Sequence, residues 1–378
     1  LYDRFVNQGA VMGDSFGLEN VLWFANNKED AHEEPTIKRS RSHDYVSKEV
    51  INVRENVGLI EVANFSKHEF KGPDARKFLD HIMAGRLPKP GRISLSPMLS
   101  YRGKLCGDLT VACLDENEFM VFGSGAAQEM HRRWFESHLD KFNLSYSNRS
   151  DEYHGLSIAG PNSRKVLEKI VRDDVSNEKF KFRDSRRMFV GGVPAIINRI
   201  SFTGELGYEI YVAPHYQLKL YEELMEAGKE FNIKPFGGRA LMSMRLEKNW
   251  GAWTLDYRPD FTAKETGLDA FINWDKEFIG KESAQKENSS NKLVPLIVET
   301  NEIDVTNNEA VLNGDQSIGY VTSGGFAHFV NKSVAFTFVD QKNIKSENKI
   351  QVEINGDLFN CSIIKEPLYD PSGQKMRS

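Results

Sequence analysis

A glutamate inside an aromatic and β-branched run is the first position in this chain that could do chemistry. The run reads Ile200-Ser201-Phe202-Thr203-Gly204-Glu205-Leu206-Gly207-Tyr208-Glu209-Ile210-Tyr211-Val212. Gly204 and Gly207 break its first half into a turn. Residues 208–212 then predict a strand, and the pairing around 202–212 predicts strand on both sides of the turn. A carboxylate at Glu209 is costly to bury unless donors meet its two oxygens. That requirement suits a ligand that presents N–H groups in a row. An edge-strand glutamate facing water is the plainer reading of the same pattern. Tyr211 lies two positions on, so it shares the face of Glu209.

Other chemistry-bearing patterns are missing. Gly123-Ser124-Gly125 runs into Gln128 without the third glycine of a dinucleotide-binding turn. Gly280-Lys281 lacks the earlier glycine of a phosphate loop, and no G-x-S-x-G elbow exists to carry a nucleophilic serine. The nine histidines are scattered with no helical H-x-x-x-H pair, so no metal site is expected. Cys106, Cys113 and Cys361 form no C-x-x-C pair. They predict reduced thiols, in a cytosol or an organelle matrix, rather than a disulfide framework.

A chain of 378 residues is long enough for two or three cores. Its 40% hydrophobic and 27% charged content is that of an ordinary globular protein. The net charge of -5 provides no overall field for nucleic acid, and Lys38-Arg39-Ser40-Arg41 reads as a short solvated surface run. No stretch is apolar for about 18 residues, so no membrane span is expected. The start at Leu1 reads as a processed or trimmed piece.

The elements that must position these residues are mixed. The first part reads as irregular, with Gly9, Gly13 and Gly17 among aromatics. Strands are expected at 57–62 and 68–71, then a helix over 75–84 capped by Asp74. Residues 94–100 and 105–114 predict a hairpin around Tyr101-Arg102-Gly103-Lys104, which puts Asp108 and Thr110 on its second strand. A third strand at 119–122, helices over 128–142, 163–171, 217–231 and 239–248, and a strand from 154 follow. This order is α+β rather than doubly wound. The polar run Lys286-Glu287-Asn288-Ser289-Ser290-Asn291-Lys292 reads as a linker. Beyond it come only short strand signals at 293–298, 317–322, 333–338, 349–354 and 359–365, which predict a small β-barrel or sandwich. The expected division is 1–285, in two intertwined α+β subdomains, and 292–378.

Three segments together carry a resemblance. They are the Glu209 strand, Ser94-Leu95-Ser96-Pro97-Met98-Leu99 through Gly107-Asp108-Leu109-Thr110-Val111, and Gly237-Gly238-Arg239-Ala240-Leu241-Met242-Ser243-Met244-Arg245-Leu246-Glu247. They resemble the glycine-cleavage T-protein (aminomethyltransferase) family. Gln8-Gly9-Ala10-Val11-Met12-Gly13, Leu22-Trp23-Phe24-Ala25, Leu87-Pro88-Lys89-Pro90-Gly91-Arg92 and Glu265-Thr266-Gly267-Leu268-Asp269 are similar to the folate-binding C-terminal part of dimethylglycine and sarcosine dehydrogenases. Val321-Thr322-Ser323-Gly324 and Lys365-Glu366-Pro367-Leu368 extend the likeness into the barrel.

The resemblance implies a multi-domain folate-binding fold around a central opening, with tetrahydrofolate as cofactor. Asp108 matches the family's catalytic aspartate, and a carboxylate there suits proton transfer at a weak amine nucleophile. Glu209 matches the glutamate that grips the pterin through two parallel N–H bonds. Arg239 matches a folate-contacting arginine, and Arg377 one that approaches the folate tail. Phe202 stands where relatives often carry a pterin-contacting tyrosine. Tyr211, Thr110 and Trp274 are candidates to line the pocket, with plain packing as the alternative for each. Leu95, Gly107 and Ser124 depart from the strict T-protein pattern. The implied activity is one-carbon transfer from an N-methyl or aminomethyl small-molecule donor, coupled to a flavoprotein dehydrogenase domain or subunit. Direct methyl transfer from an onium donor and non-catalytic folate binding are the alternatives. The implied compartment is the cytoplasm, or the mitochondrial matrix in a eukaryote.

Overall fold

The computed structural model describes residues 1–15, 17–344 and 349–378. It opens with helix α1 (Tyr2–Asn7), hairpin β1 (Ala10–Ser15) and β2 (Leu18–Phe24), and helix α2 (Ser42–Glu55). The irregular N-terminus expected from the sequence is therefore ordered. Spaced glycines hid the hairpin, and α2 hid because Val46, Val50 and Val53, its buried stripe, are poor helix formers.

Strands β3 (Val57–Glu61) and β4 (Ser66–Lys71) each enter a different sheet. Helix α3 (Ala75–Ile82), strands β5 (Arg92–Leu99), β6 (Leu105–Asp115) and β7 (Glu118–Gly123), helix α4 (Gln128–Glu136) and strand β8 (Ser145–Asn148) follow. The five-stranded sheet has the order β5-β6-β7-β4-β8. Asp74 precedes α3 but does not cap it; its carboxylate accepts the Asn143 backbone N–H instead. Helix α4 stops six residues short of the expected end, and a 3-10 turn at Leu139–Lys141 carries Phe142 onto Phe78.

Strand β9 (His154–Ala159), helix α5 (Ser163–Ile170), strands β10 (Ser185–Val190), β11 (Val193–Asn198) and β12 (Gly207–Val212), helix α6 (Gln217–Gly228), strand β13 (Ile233–Pro235) and helix α7 (Gly238–Glu247) complete the first body. The six-stranded sheet has the order β10-β11-β12-β9-β3-β13. Residues 200–206 are loop rather than strand, because the turn takes up the whole stretch before Gly207.

Strands β14 (Asn291–Val298), β15 (Ala310–Asn313), β16 (Gln316–Ala327), β17 (Lys332–Asp340), β18 (Ile350–Ile354) and β19 (Asp357–Ile363) close a barrel. The short β15 was not legible as a separate strand. The polar run around Ser290 is tied at both ends: a helix ends at Lys286, and Ser290 accepts a backbone bond from Gln341. Lys38 and Arg39 do not form a merely solvated run either. Arg39 makes two bonds to Asp304 at 2.8 and 3.0 Å and lies over the Phe326 ring, clasping the N-terminal segment to the barrel.

Alternation of side chains decides what each sheet faces. In the six-stranded sheet, Leu59, Leu156, Ile158, Ile197, Tyr208 and Ile210 pack toward Leu167, Leu220 and Leu224 of the helices. In the five-stranded sheet, Leu109, Val111 and Val121 pack toward Phe78, Leu79 and Phe135 of α3 and α4. The opposite faces meet each other through Ile93, Ala112, Met120, Phe122, Ile196 and Tyr211. Helices thus cover the outside, and two sheet faces look at one another across a small apolar plug.

Candidate active site

Glu209 stands in the middle of the six-stranded sheet, not at an edge. Its strand β12 pairs with β11 on one side and β9 on the other, with Asn198 and Ser157 directly opposite Glu209. Only 8% of the residue is exposed. The Tyr211 hydroxyl donates to its Oε2 at 2.9 Å, which the shared strand face makes possible. Burial pushes the Glu209 carboxyl up to about 7, offset in part by the Tyr211 bond and the Lys67 charge. No cation reaches ion-pair distance of Glu209 among the described residues.

Lys67 is itself buried beside this carboxylate. Its ammonium donates to the carbonyls of Ala63 and Ser150 at 2.6 and 3.3 Å and lies 5.9 Å from the Tyr211 ring centre. Burial lowers its pKa to about 8, against the pull of Asp151, Glu61 and Glu209. Nothing in the sequence around Lys67 distinguishes it from a surface lysine.

Asp108 comes from the facing sheet. On β6 the odd residues Leu109, Val111 and Cys113 enter the helix-side core, so Asp108, Thr110 and Ala112 point to the other face. Thr110 pairs with Phe122, and the Phe122 ring lies 4.7 Å from that of Tyr211. A continuous contact thus runs from the Asp108 strand to Glu209. Asp108 is partly accessible, yet burial raises its carboxyl to about 7, with its own backbone N–H working the other way. No described side chain bonds to it. Tyr257 is its neighbour; burial and the Asp108 charge both push that phenol up, and its oxygen accepts the Gly251 N–H at 3.2 Å. Gly107 has a steric reason to lack an acidic side chain: a Cβ there would lie 2.9 Å from His131 Nε2, which binds the Cys106 carbonyl.

Of the expected residues, Thr110, Tyr211 and Glu209 are linked through Phe122, and Asp108 lies on the same face of β6 as Thr110. Arg239 lines a separate cavity of about 720 Å³ between α2, α7 and the barrel, where it bonds to Glu33 and to Ser42 Oγ. Neither Asp108 nor Glu209 lines that cavity. Its wall includes Ile60 of β3, which pairs with Ser157, itself opposite Glu209, so the two regions share the sheet. Phe202 stacks on Trp250 with ring centres 5.8 Å apart. Trp274 joins the cluster of Leu99, Phe261 and Phe278, a packing position. The Arg377 guanidinium bonds to the Ser372 carbonyl on the exposed C-terminal turn. Among the described residues no group of three or more His, Cys, Asp or Glu side chains could hold a metal ion. No described helix is long and apolar enough to cross a membrane.

Sequence reading missed Asn198, which is 0% exposed and directly opposite Glu209. Its only signal is a polar residue ending the apolar run Ala195-Ile196-Ile197.

Two carboxyls on facing walls, both raised toward neutrality by burial and neither neutralised by a cation, can do two things. One can accept a pair of N–H bonds, and the other can exchange a proton near neutral pH.

Residues 1–276 match the family model described as the GCVT N-terminal domain, and residues 291–370 that of the glycine cleavage T-protein C-terminal barrel domain. The mitochondrial dimethylglycine dehydrogenase of Mus musculus is 34% identical over 94% of this chain and 42% of its own length. That of Homo sapiens is 33% identical over 97% and 43%. The chain therefore spans less than half the length of these curated relatives. An aminomethyltransferase of Thermotoga sp. (strain RQ2) is 28% identical over 98% of this chain and 96% of its own. Among solved structures, the glycine cleavage system aminomethyltransferase T from Bartonella henselae superposes with a TM-score of 0.84 at 22% identity, covering 98% of this chain and 97% of the other. That likeness shows a common fold.

Proposed function

The chain belongs to the glycine cleavage T-protein family, and from that premise we propose that it transfers a one-carbon unit from an N-methyl or aminomethyl donor to tetrahydrofolate. The observation that carries this reading is the facing pair. Glu209 is a buried acceptor with one hydroxyl partner and no bonded cation on one sheet, and Asp108 is a proton-exchanging carboxyl on the other.

The chemistry of these residues fits a reduced pterin. Tetrahydrofolate, when bound, supplies a weakly basic amine as nucleophile. Glu209 holds the N–H edge of the ring through two charge-assisted bonds; the Tyr211 hydroxyl holds Glu209 in place, and the nearby Lys67 charge favours its ionised form. Asp108 orients the reacting amine, takes up the proton released when that amine bonds to carbon, and favours the cationic donor. A base with a pKa of about 7 suits proton transfer at neutral pH. The apolar plug of Ile93, Met120, Phe122 and Ile196 keeps water from one side of this space.

In this reading residues 1–285 form the folate-binding region and 292–378 the barrel that covers it. The likeness to dimethylglycine dehydrogenases supports an oxidising partner, a flavoprotein domain or subunit, that prepares the donor. Arg239 serves as a lining cation of the neighbouring cavity.

Calorimetric titration with tetrahydrofolate tests the binding half. Binding by the unaltered protein and its loss in Glu209→Ala is the expected result; no binding by the unaltered protein sinks the proposal. Folate-loaded protein mixed with formaldehyde, or with dimethylglycine and a flavoprotein dehydrogenase, tests the transfer half. Methylene-tetrahydrofolate formation that depends on Asp108 is expected. Equal rates in Asp108→Ala, or a methyl product from an onium donor alone, would replace it with another mechanism.

A further inference from the structure

Strand β6 changes phase just before Asp108. Leu99 of β5 pairs with Leu105 and Met98 pairs with Gly107, so Cys106 is an extra residue with nothing opposite it on β5. On its other side β6 pairs with β7 only from Thr110 onward. Cys106 is thus the bulged residue of an antiparallel pair. The side chains record the shift. Leu105 packs with Leu99 and Phe261, whereas Cys106 packs on the helix-side core. A Cβ on Gly107 would lie 3.1 Å from Cγ of Leu109, in that same core. Two successive residues therefore face the helices, and Asp108 emerges on the side of Leu105. A bulge bends its strand and re-aims the side chains next to it.

The bulge has a partner outside the sheet. His131 of α4 is 1% exposed, and its Nε2 meets the Cys106 carbonyl at 3.0 Å. A carbonyl only accepts, so Nε2 carries the proton. Burial pushes the imidazole down to about 4, against the pull of the Cys106 bond, so the ring is neutral and Nε2–H is its one donor. Its Nδ1 has no hydrogen-bond partner among the described residues. Gly107 lets the ring come this close, since a Cβ there would lie 2.9 Å from Nε2. The His131 ring centre also lies 6.1 Å from that of Trp253, which bridges to Tyr257, the neighbour of Asp108. One buried imidazole thus leans on the strand that carries Asp108 and on the turn that carries Tyr257.

We infer that His131 is a positioning residue for Asp108: its Nε2–H, bonded to the Cys106 carbonyl, fixes the bulge that sets where the Asp108 carboxylate points. This rests on the reading of Asp108 as the proton acceptor. His131 is covered and touches no ligand; it acts through the backbone of Cys106 and Gly107. Glu209 sits on the other sheet, so the effect of His131 should fall on transfer and spare binding.

The test measures two quantities in each variant: tetrahydrofolate affinity by calorimetry, and methylene-tetrahydrofolate formation at saturating folate with formaldehyde as donor, above the uncatalysed rate. His131→Phe keeps a ring and removes the donor. Its turnover should fall by about tenfold or more, because a misplacement of about 1 Å can cost that much, while its affinity stays that of the parent. His131→Gln puts an amide N–H where Nε2–H stood and should recover most of the lost turnover. Gly107→Ala presses a Cβ onto Nε2 and should reproduce the same split if His131→Phe does not fold. Parental turnover in His131→Phe, a Gln variant as slow as the Phe variant, or an affinity that falls in step with turnover would overturn the inference and leave His131 as a core residue. No acceleration by the unaltered protein, or unchanged turnover in Asp108→Ala, would instead strike the reading of Asp108 itself.

Discussion

Two sets of carboxylates in this chain are treated in opposite ways. In the first, the Arg54 guanidinium bonds to Glu205 at 2.9 Å, to Glu247 at 2.6 Å and to the Thr203 carbonyl at 2.7 Å. Tyr369 also donates to Glu205, and its ring lies under Arg54 at 3.8 Å. Asp256 is served likewise by Arg245 at 2.7 Å and by the hydroxyls of Thr322 and Ser323. These networks join α2, α7, the loop before β12 and the barrel. In the second group, Glu209 has one hydroxyl and Asp108 has no described side-chain partner. Burial of charge is tolerated in the first group because each oxygen is matched. In the second no cation lies at bonding distance among the described residues. A buried carboxylate left without a cation is a candidate functional group.

The largest effect that could break this contrast is on the paired side. Arg54→Met leaves Glu205 and Glu247 buried without their cation and should cost about 3–5 kcal/mol of stability. Urea unfolding reads this directly, and a loss below about 1 kcal/mol would mean the network is not a structural stitch.

On the unpaired side, Asp108→Asn should lower turnover by about 10²-fold or more with the fold intact. The unaltered enzyme should speed up as pH rises through about 7, because Asp108 must be ionised to accept a proton. The Asn variant should lose that rise. An identical pH profile in both would assign the titration to another group.

Glu209→Gln sharpens the contrast through stability. The folded pKa of about 7 lies above the ordinary 4.5, so the native state holds an extra proton between those values. Stability of the unaltered protein should therefore fall as pH rises through that window. The Gln variant escapes the loss and should be the more stable protein at pH 8, by on the order of 1–3 kcal/mol. It should also lose most of its tetrahydrofolate affinity, because an amide offers one acceptor where the carboxylate offers two. A Gln variant less stable than the parent at pH 8 would show that the carboxylate is satisfied within the fold.

The smallest effect is expected from exposed pairs. Arg132 bonds to Glu129 and Glu136 along α4 in open solvent. Arg132→Ala should leave the urea midpoint unchanged within error, since exposed pairs contribute little. A clear shift would blur the line between the two groups of carboxylates.

Much of this was readable in one dimension. The hairpin carrying Asp108, the strand carrying Glu209 and the shared face of Glu209 and Tyr211 follow from a period of two. The N-terminal hairpin and α2 were not readable, since glycine spacing and a valine stripe contradict their own propensities. For Trp274 the sequence left pocket lining and plain packing both open, and it joins an apolar cluster; Arg377 bonds on an exposed turn, a placement its neighbours in sequence do not reveal.

The sequence by itself determined the α+β order, the all-β character of the C-terminal end and the family, because local period and motif are properties of neighbouring residues; closure of those strands into a barrel came from their pairing. Whether Glu209 faced water at an edge or lay dry in a sheet centre was open until β9 and β11 took their places beside β12. The facing of Asp108 and the Asn198 amide opposite Glu209 were decided the same way. Strand partners and register are set by contacts between distant segments. So tertiary structure alone settled which carboxylates have a cation and which do not.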